Sequence, residues 1–291
     1  MTFMPLPNRS VPAVESTAQT KLLARLLEFA QRAESSPCIR VRARSAHCLS
    51  VVDLDTALLA LPLQGHKYVR DAQRRIHIAP GEIFLAPHPT AVDIENIPDE
   101  TSGYYIAIGI PVEEHVLSAA RQLVREPIGG GTEGIACVPL DRHAEDLNDW
   151  LDAMEAGDLA RACYSVVGVI LGLYSQGHRG LLYPRVPSLS SRVRAMVAAD
   201  PIREWSSAQV EAAIGMSGAT LRRHLAAERV SLRKLIEDAR LSHGLSLLLT
   251  TRLPVKSVAQ RVGYASVSTF GKRFRERYGV EPSRVGGVGG I

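Results

Sequence analysis

The chain has 291 residues, of which 46% are hydrophobic and 22% charged, and its formal net charge is +4. This length favours two domains and allows ample hydrophobic cores without disulfides. The longest apolar run, residues 166–173, is too short to cross a bilayer, and the N-terminal residues lack the basic start and apolar run of a signal peptide. The composition therefore argues against a membrane-spanning or disulfide-dependent protein, and we expect a cytoplasmic one.

The charge is divided unevenly along the chain. From Ser188 onward there are 17 Lys and Arg against 8 Asp and Glu, a net of +9, whereas the preceding residues hold 17 and 22, a net of −5. A concentrated positive charge is what the neutralisation of nucleic-acid phosphates requires. The C-terminal third is therefore expected to meet a polyanion, and the acidic part is not.

The first predicted elements are one helix and a series of short strands. Apolar residues at helical spacing predict a helix at about residues 17–33. From Ile39 to Ile110 the pattern changes to short apolar runs separated by Gly, Pro and Asp, which is typical of an antiparallel sandwich or small barrel. The predicted strands are residues 49–52, 57–61, 76–78, 83–85 and 104–108.

Two segments of this region resemble a known sensory domain. Gln64-Gly65-His66-Lys67, followed by Ile78-Ala79-Pro80-Gly81-Glu82, resembles the cupin-like domain found in front of many AraC-type DNA-binding domains. The resemblance implies a barrel whose apolar interior holds a small organic effector. Which strand residues line that interior is left open by the sequence.

Metal binding and catalysis are not expected of this half. Cupin enzymes hold a metal through a His-x-His, a downstream carboxylate and a further His. The histidines of this region share no such motif: His47, His66, His77 and His88. The chain also lacks a G-x-S-x-G elbow and a P-loop. We therefore expect no enzymatic activity, no metal and no other cofactor.

The chain has four cysteines, which share no CxxC spacing: Cys38, Cys48, Cys137 and Cys163. Buried structural thiols are the expected reading of such scattered cysteines in a chain of this size. A redox-sensing thiol is the alternative.

Residues 141–175 are predicted to form two helices separated near Gly157 and Asp158. Their apolar faces are predicted at Leu147, Leu151, Met154, Leu159, Ala162, Val166 or Val167, and Ile170. Such helices either pack on the barrel alone or, as in families built this way, also pair two chains into a homodimer. Residues 176–191, rich in Gly, Pro and Ser, have the composition of a linker.

The C-terminal third contains one pattern twice: a short helix, a glycine-centred turn and an Arg-rich helix. Gly215 and Gly263 occupy the turns, where the absence of Cβ removes the penalty on the left-handed conformation. Ser217 is placed to cap the second helix of the first copy. One copy alone would suit an ordinary surface helix equally well. Two copies in a basic region predict a double helix-turn-helix that binds duplex DNA.

Buried anchors four residues apart are expected to orient the second helix of each unit. Leu221 and Leu225 anchor the first, and Phe270 and Phe274 anchor the second. Candidate DNA contacts are then Ser217, Ala219, Thr220, Arg222 and Arg223 in the first unit and Ser266, Val267, Ser268, Thr269, Lys272 and Arg273 in the second. Arginine forms bidentate bonds with guanine, while Ser, Thr and Lys contact bases or phosphates.

The second unit resembles the signature of the AraC/XylS family of bacterial transcription regulators. The matching residues are Val258-Ala259-x-x-Val262-Gly263-Tyr264 and then Ser268-x-Phe270-x-x-x-Phe274-x-x-x-Tyr278-Gly279-Val280-x-Pro282. The first unit matches less closely, at Trp205-Ser206, Met216-Ser217 and Leu221-x-Arg223. Residues 232–249, which include Ala239-Arg240-Leu241, resemble the family's linker helix. Two positions depart from the pattern: Glu211 occupies a place usually filled by Ala where the two helices touch, and Ala219 offers little for base recognition.

The resemblance implies a fold and a function. The expected fold class is α+β multidomain, with a cupin-like β-barrel and flanking helices followed by an all-α domain with two helix-turn-helix motifs. The expected divisions are a sensory domain at 1–140, a helical dimerisation segment at 141–176, a linker at 177–191 and a DNA-binding domain at 192–291. Within the last, the units fall at about 207–228 and 255–278, joined by a helix at about 231–249.

The expected function is that of a promoter-binding transcription regulator, more often an activator that contacts RNA polymerase. Its N-terminal domain would sense an effector, dimerise, or do both. Two alternatives stay open: a cupin-type metal-dependent enzyme with a helical tail, and a nonspecific DNA-binding protein. Bound metal would identify the first, and equal affinity for unrelated duplexes the second.

Overall fold

Two antiparallel sheets form the N-terminal part of the molecule. The computed structural model describes residues 17–32, 38–54, 56–87, 90–126, 128, 133–184, 188–251 and 253–285. The strands are β1 (Ile39–Ala43), β2 (His47–Leu54), β3 (Ala57–Gln64), β4 (His66–Arg70), β5 (Arg75–Ile78), β6 (Glu82–Ala86), β7 (Thr90–Ile97), β8 (Tyr105–Val112) and β9 (Ala136–Pro139). Within the described residues, one sheet has the order β1-β8-β3-β6-β9 and the other β2-β7-β4-β5.

The two sheets differ in how much of their surface is buried. The inner faces pack against each other, with Phe84 of β6 meeting Val69, Ile78 and Ile94 of the other sheet in one apolar cluster. The outer face of the five-stranded sheet is covered by helices, whereas that of the four-stranded sheet is largely exposed. Strands buried on both faces are almost continuously apolar, while strands with one solvent-exposed face alternate between apolar and polar residues. β3 and β8 show the first pattern and β7 the second.

Four helices belong to the N-terminal part: α1 (Thr17–Gln31), α2 (Glu114–Leu123), α3 (Ala144–Ala156) and α4 (Leu159–Ser175). Leu22 and Leu26 of α1 join Trp150 of α3 in the cluster that covers the five-stranded sheet. Asp158 caps α4 by accepting a hydrogen bond from the Arg161 N–H. Leu159, predicted to face the core, is 53% exposed because it begins α4 at the rim of the packed region. That prediction was wrong.

The segment with linker composition contains regular structure at both ends. A 3-10 turn at Gly180–Leu182 buries Leu181 and Leu182 against the sensory half. Helix α5 (Leu189–Ala199) begins one residue after Ser188, whose hydroxyl accepts a hydrogen bond from the Ser191 N–H. Residues 185–187 lie outside the described residues, and α5 was not anticipated from the sequence.

The C-terminal part is helical. After α5 come α6 (Ser207–Ile214), α7 (Gly218–Ala227), α8 (Leu232–Thr250), α9 (Val255–Arg261), α10 (Val267–Tyr278) and α11 (Pro282–Val285). Two antiparallel sheets followed by these helices confirm the predicted fold class, in which a β-rich part precedes an all-α part. Among the described residues, no helix is both long and apolar enough to cross a membrane.

The two halves touch along one side of the C-terminal part. Helix α8 packs near β1, and α10 packs near β2. Arg277 of α10 forms an ion pair with Asp53 of β2 at 2.5 Å, and its Nε lies 3.7 Å from Asp238 of α8. Apolar residues of α8, α9 and α10 belong to the same cluster as the sandwich core. The second helix-turn-helix unit therefore contacts the N-terminal half.

Candidate nucleic-acid interface

The first unit consists of α6, a turn and α7. A capping box begins α6, since Ser206 and Gln209 each bond the other's backbone N–H. Gly215 ends α6 with φ +73, the left-handed conformation predicted for the turn. Ser217 then accepts a hydrogen bond from the Thr220 N–H at the start of α7, as predicted. These local interactions fix the point at which the recognition helix begins.

The predicted anchors of α7 are buried and the predicted contact residues lie on its wet side. Leu221 and Leu225 are 1% and 2% exposed and join the cluster formed by α5 and α6. Ala219, Arg222 and Arg223 are exposed. Thr220 is only half-buried, and its hydroxyl lies 3.0 Å from that of Ser217, so both hydroxyls are engaged at the helix start.

The second unit consists of α9, a turn and α10. Gly263 takes φ +81, and a Cβ there would lie 2.6 Å from the carbonyl oxygen of Pro201. Phe270, Phe274 and Tyr278 form a buried row along α10, with successive ring centroids 5.5 and 4.8 Å apart. The opposite side carries the predicted contact residues, all exposed: Ser266, Val267, Ser268, Thr269, Lys272 and Arg273.

Helix α8 joins the two units through close packing. Its residue 244 is glycine, and a Cβ there would lie 3.0 Å from the Phe270 ring. At its other end, Leu235 and Ala239 belong to the core of the first unit. The same helix therefore contributes to both cores and fixes the units relative to each other.

Both recognition helices border one groove. The groove has a volume of about 1040 Å³. Helix α7 contributes Leu221, Arg222 and Leu225 to one wall, and α10 contributes Thr269 and Arg273 to the other. Residues of α8 form its floor: Ile236, Glu237 and Arg240. The two helices thus face a common side of the domain and are not covered by the acidic half.

The basic residues of this surface differ in their partners. Arg273 pairs with Glu237 at 3.1 Å and Glu276 at 3.0 Å, and these carboxylates, Glu276 first, raise the pKa of its guanidinium. Arg222, Arg223 and Lys272 have no ion pair with any described residue. Their charges are presented to solvent, whereas that of Arg273 is largely satisfied within the protein.

One candidate was missed by sequence reasoning. Arg233 is exposed near the start of α8 and lines the groove between the recognition helices. This stretch was predicted only as a connecting helix. The available signal was the pair Arg233-Lys234, which begins two residues after the capping Ser231. Lys234 itself pairs with Asp238 at 2.9 Å and points its charge into the protein.

Comparison with known proteins agrees with this geometry. Residues 210–286 match the family model described as a helix-turn-helix domain. The chain is 26% identical over 97 residues to the virulence regulon transcriptional activator VirF of Shigella flexneri, which covers 33% of this chain and 37% of VirF. It is 44% identical over 70 residues to an uncharacterised helix-turn-helix regulator of Mycobacterium tuberculosis, which covers 24% of this chain and 20% of that one.

The C-terminal domain is a helix-turn-helix domain of the AraC type. Its match spans little more than a third of VirF and less of the mycobacterial relative, and it lies in the same double unit described above. The AraC-type domain accounts for α6 to α11, and the resemblance predicted for this part of the sequence is confirmed.

The whole fold also has a counterpart among solved structures. The crystal structure of ToxT from Vibrio cholerae bound to an unsaturated fatty acid aligns with a TM-score of 0.65. The alignment covers 89% of this chain and 100% of that chain at 15% identity. The two-sheet half followed by an AraC-type domain is therefore an arrangement that a known protein shares.

The sensory half has a buried polar row at one end of the sandwich. Lys67 donates to Asn96 Oδ1 at 2.8 Å, and Asn96 Nδ2 lies 3.0 Å from His47 Nε2. The Lys67 ammonium also lies 5.7 Å from the centre of the Tyr105 ring, whose buried hydroxyl has no hydrogen-bond partner among the described residues. Burial lowers the pKa of Lys67 to about 7. No group of three or more possible metal ligands occurs in the described part of the chain.

Proposed function

We propose that this protein is a sequence-specific transcription regulator that binds promoter DNA as an activator. The observation that carries the proposal is the common groove between α7 and α10, which is lined by Arg222 of α7 and Arg273 of α10, while Arg223 and Lys272 are exposed on the same two helices. A protein that reads two successive grooves of a duplex needs two basic helices on one face. The net charge of +9 from Ser188 onward supports the same conclusion.

The rigid connection through α8 sets the geometry of the site. Two recognition helices held on one face enter major-groove segments about one turn, roughly 34 Å, apart. Because the two helices carry different side chains, one chain reads an asymmetric site without a partner. Bending of the duplex compensates for any remaining difference between the spacing of the two helices and the spacing of the two major-groove segments.

The proposed contacts divide by chemistry. Arg222, Arg223, Lys272 and Arg273 bind guanine edges or phosphates, the first three more readily because no described carboxylate holds them. Hydroxyls and helix N-termini bind phosphates, and small apolar side chains contact thymine methyl groups. These remaining contacts are Ser217, Ala219, Thr220, Ser266, Val267, Ser268 and Thr269.

The N-terminal half is proposed to sense a small organic effector, to pair two chains, or both. ToxT, which shares this architecture, has been crystallised with an unsaturated fatty acid. For pairing, α4 leaves both Leu159 and Tyr164 exposed, at 53% and 77%, so apolar surface of this helix is available to a second chain. We propose a cytoplasmic homodimer that contacts RNA polymerase and catalyses no reaction. The proposed divisions are those expected from the sequence, with the sensory domain at 1–140, except that the DNA-binding domain begins with α5 at Leu189 instead of at residue 192.

Selection of genomic fragments bound by the full-length protein tests this function. The selected site and a scrambled duplex of equal length should then differ in affinity by at least about a thousandfold at physiological salt. Affinity should fall steeply as salt rises, because counterions are released on binding. Equal affinity for both duplexes would contradict specific recognition and favour the nonspecific alternative. Transcription from a promoter that carries the site should rise when the protein is added with polymerase.

A further inference from the structure

A second cavity lies in the sensory half, away from the groove between the recognition helices. It has a volume of about 410 Å³ and lies where the end of β8 meets α2, α3 and α4. Most of its wall is apolar: Ile110, Pro111, Val116, Trp150, Met154 and Val166. A space of this size and character accommodates a small apolar molecule.

One side of this cavity carries three reactive groups in a line. The Cys163 Sγ lies 3.8 Å from His115 Nε2, and His115 Nδ1 lies 3.3 Å from Glu113 Oε2. Glu113 precedes α2 as its N-cap residue, but its side chain makes no capping hydrogen bond, so the carboxylate is available to His115. A thiol, a base and a group that orients the base form the arrangement that activates a nucleophile.

These three groups, which we call the Cys163–His115–Glu113 relay, are reachable from solvent, whereas the cavity beside them is apolar. The side chains of His115 and Glu113 are 64% and 70% exposed, and Cys163 is half-buried at the cavity wall. Leu159, whose exposure was not expected from the sequence, also lines this cavity at its outer side. A small molecule can therefore enter beside the relay with its apolar part directed toward Trp150.

Cys38 lines the same cavity but is only 4% exposed, and Cys48 and Cys137 are not part of the cavity wall. Cys48 is exposed, but partial burial of its thiol and the nearby Glu95 and Asp93 carboxylates raise its pKa. Burial and Glu82 raise the pKa of Cys137 to about 12. A raised pKa leaves less thiolate, which is the reactive form. Cys163 differs from both in having a histidine beside its sulfur.

We propose that Cys163 captures small apolar electrophiles of the α,β-unsaturated carbonyl class. His115 Nε2 takes the thiol proton, and the sulfur forms a bond with the β-carbon of the electrophile. The π electrons of the C=C bond move toward the carbonyl oxygen to give an enolate. The α-carbon then takes the proton back from His115. No oxidant or further reactant is consumed, and Glu113 holds the imidazole in the tautomer that accepts the proton.

If the effector is captured in this way, it is an α,β-unsaturated carbonyl compound. Its role as a signal rests on the proposed regulatory function. The adduct would fill the space between β8 and α4 and alter how the helices pack on the five-stranded sheet. A ligand changes DNA affinity only when it favours one arrangement of the two halves over another.

Labelling with cinnamaldehyde tests the capture without DNA. Under limiting reagent, intact mass should rise by one whole cinnamaldehyde, since a lysine Schiff base would lose water. Peptide mapping should place the label on Cys163 before Cys48. His115→Gln should slow labelling of Cys163 by at least about tenfold, whereas His77→Gln, a change remote from this cavity, should leave the rate unchanged. Cys163→Ser should abolish the rapid labelling at this site.

Two results would overturn the proposal in separate ways. Equal labelling rates at Cys163 and Cys48, or an unaltered rate in a folded His115→Gln variant, would show that the relay does not activate the thiol. Complete labelling with no change in affinity for the selected DNA site would remove the sensory role. Neither result would affect DNA binding itself, which the unlabelled protein reports independently.

Discussion

Arg223 and Lys272 occupy equivalent places on the two recognition helices. Each lies two residues after a buried anchor, Leu221 in α7 and Phe270 in α10, and each is exposed. Their equivalence means that the same experiment on both residues reports on the two halves of one DNA site.

Arg223→Ala is expected to weaken binding to the selected site by about 1–3 kcal/mol and to relax the choice of base at one position in its half. Lys272→Ala should act in the other half. Affinity measured on a panel of single-base variants of the site checks both. Arg161→Ala, which removes the same charge from the exposed face of α4, should leave affinity within about twofold. A uniform loss across the panel would instead identify a phosphate contact.

Buried Lys67 makes stability depend on pH. Its folded pKa, about 7, lies below the value of 10.5 for the unconstrained side chain, so the unfolded chain binds more protons between these values. The free energy of unfolding should therefore rise with pH from 7 to 9.5, by up to about 1.4 kcal/mol per unit. Chemical denaturation at a series of pH values measures this slope. Lys67→Met should flatten it, and an unchanged slope would show that another group titrates.

Glu211 illustrates what the sequence could and could not convey at this scale. Its acidic side chain departs from the small residue usual where the two helices of the first unit touch. In the structure, one oxygen of its carboxylate lies only 2.4 Å from where a Cβ on Gly218 would be. The same oxygen accepts a hydrogen bond from the Ser207 hydroxyl at 2.7 Å. The glycine at position 218 leaves room for the carboxylate of Glu211 seven residues earlier, and a position-by-position comparison of sequences does not reveal such a compensation.

At the scale of whole elements, α8 connects the two units through the contact of Gly244 with Phe270. Gly244→Val should lower the free energy of unfolding by about 1–3 kcal/mol, because the added methyl groups displace the ring. The same variant should weaken binding in the second half of the DNA site, since Phe270 anchors α10.

Gly271→Ala provides the control for that change. It also lies in a helix, but nothing lies within 4 Å of the position of its Cβ. Alanine there should therefore stabilise α10 by roughly 0.5–1 kcal/mol. Thermal and urea unfolding distinguish the two variants, and equal effects would contradict the close packing of α8 against α10.

The elements that could be predicted from the sequence are those in which the apolar residues follow a single regular pattern. β3 and β8 are apolar on both faces, and α8 repeats its apolar residues at helical spacing, so their burial was predictable. β7 was missed because Asp93 and Glu95 alternate with apolar residues and a buried Asn96 interrupts the series. β4 was not among the predicted strands because one of its two inward positions is Lys67, whose burial depends on a partner contributed by β7.

The position of the relay could not be predicted at all from the sequence. Glu113 and His115 are 48 or more residues from Cys163, and the intervening α2 and α3 were respectively missed and only outlined. What unites the three is the packing of α2 against α4. Contacts between distant helices depend on tertiary packing, which periodicity within each helix does not specify.

For the whole molecule, the ion pair of Arg277 with Asp53 holds the AraC-type domain against the sensory half. Both side chains are largely buried, at 14% and 25% exposure. Asp53→Asn should lower stability by about 1–3 kcal/mol, less than for an isolated buried pair because Asp238 also faces Arg277. Calorimetry should show the two halves separating into distinct transitions.

Asp152→Asn supplies the comparison for the ion pair between the halves. It removes a carboxylate that pairs with Arg25 at 2.6 Å within the sensory half, and both side chains are at least 40% exposed. An exposed pair of this kind contributes at most about 1 kcal/mol. If both variants gave the same calorimetric profile, the contact of α10 with β2 would not couple the halves.

The contact of the second unit with the sandwich gives the bound molecule a polarity. Helix α10 lies against β2, while the first unit extends away on the other side of α8. On a duplex, the bulky sensory half would always overhang the same end of the asymmetric sequence. Inverting the site relative to a gene would place this half on the opposite side of the site. The orientation of the site, as well as its affinity, would then determine which neighbouring proteins this half can contact.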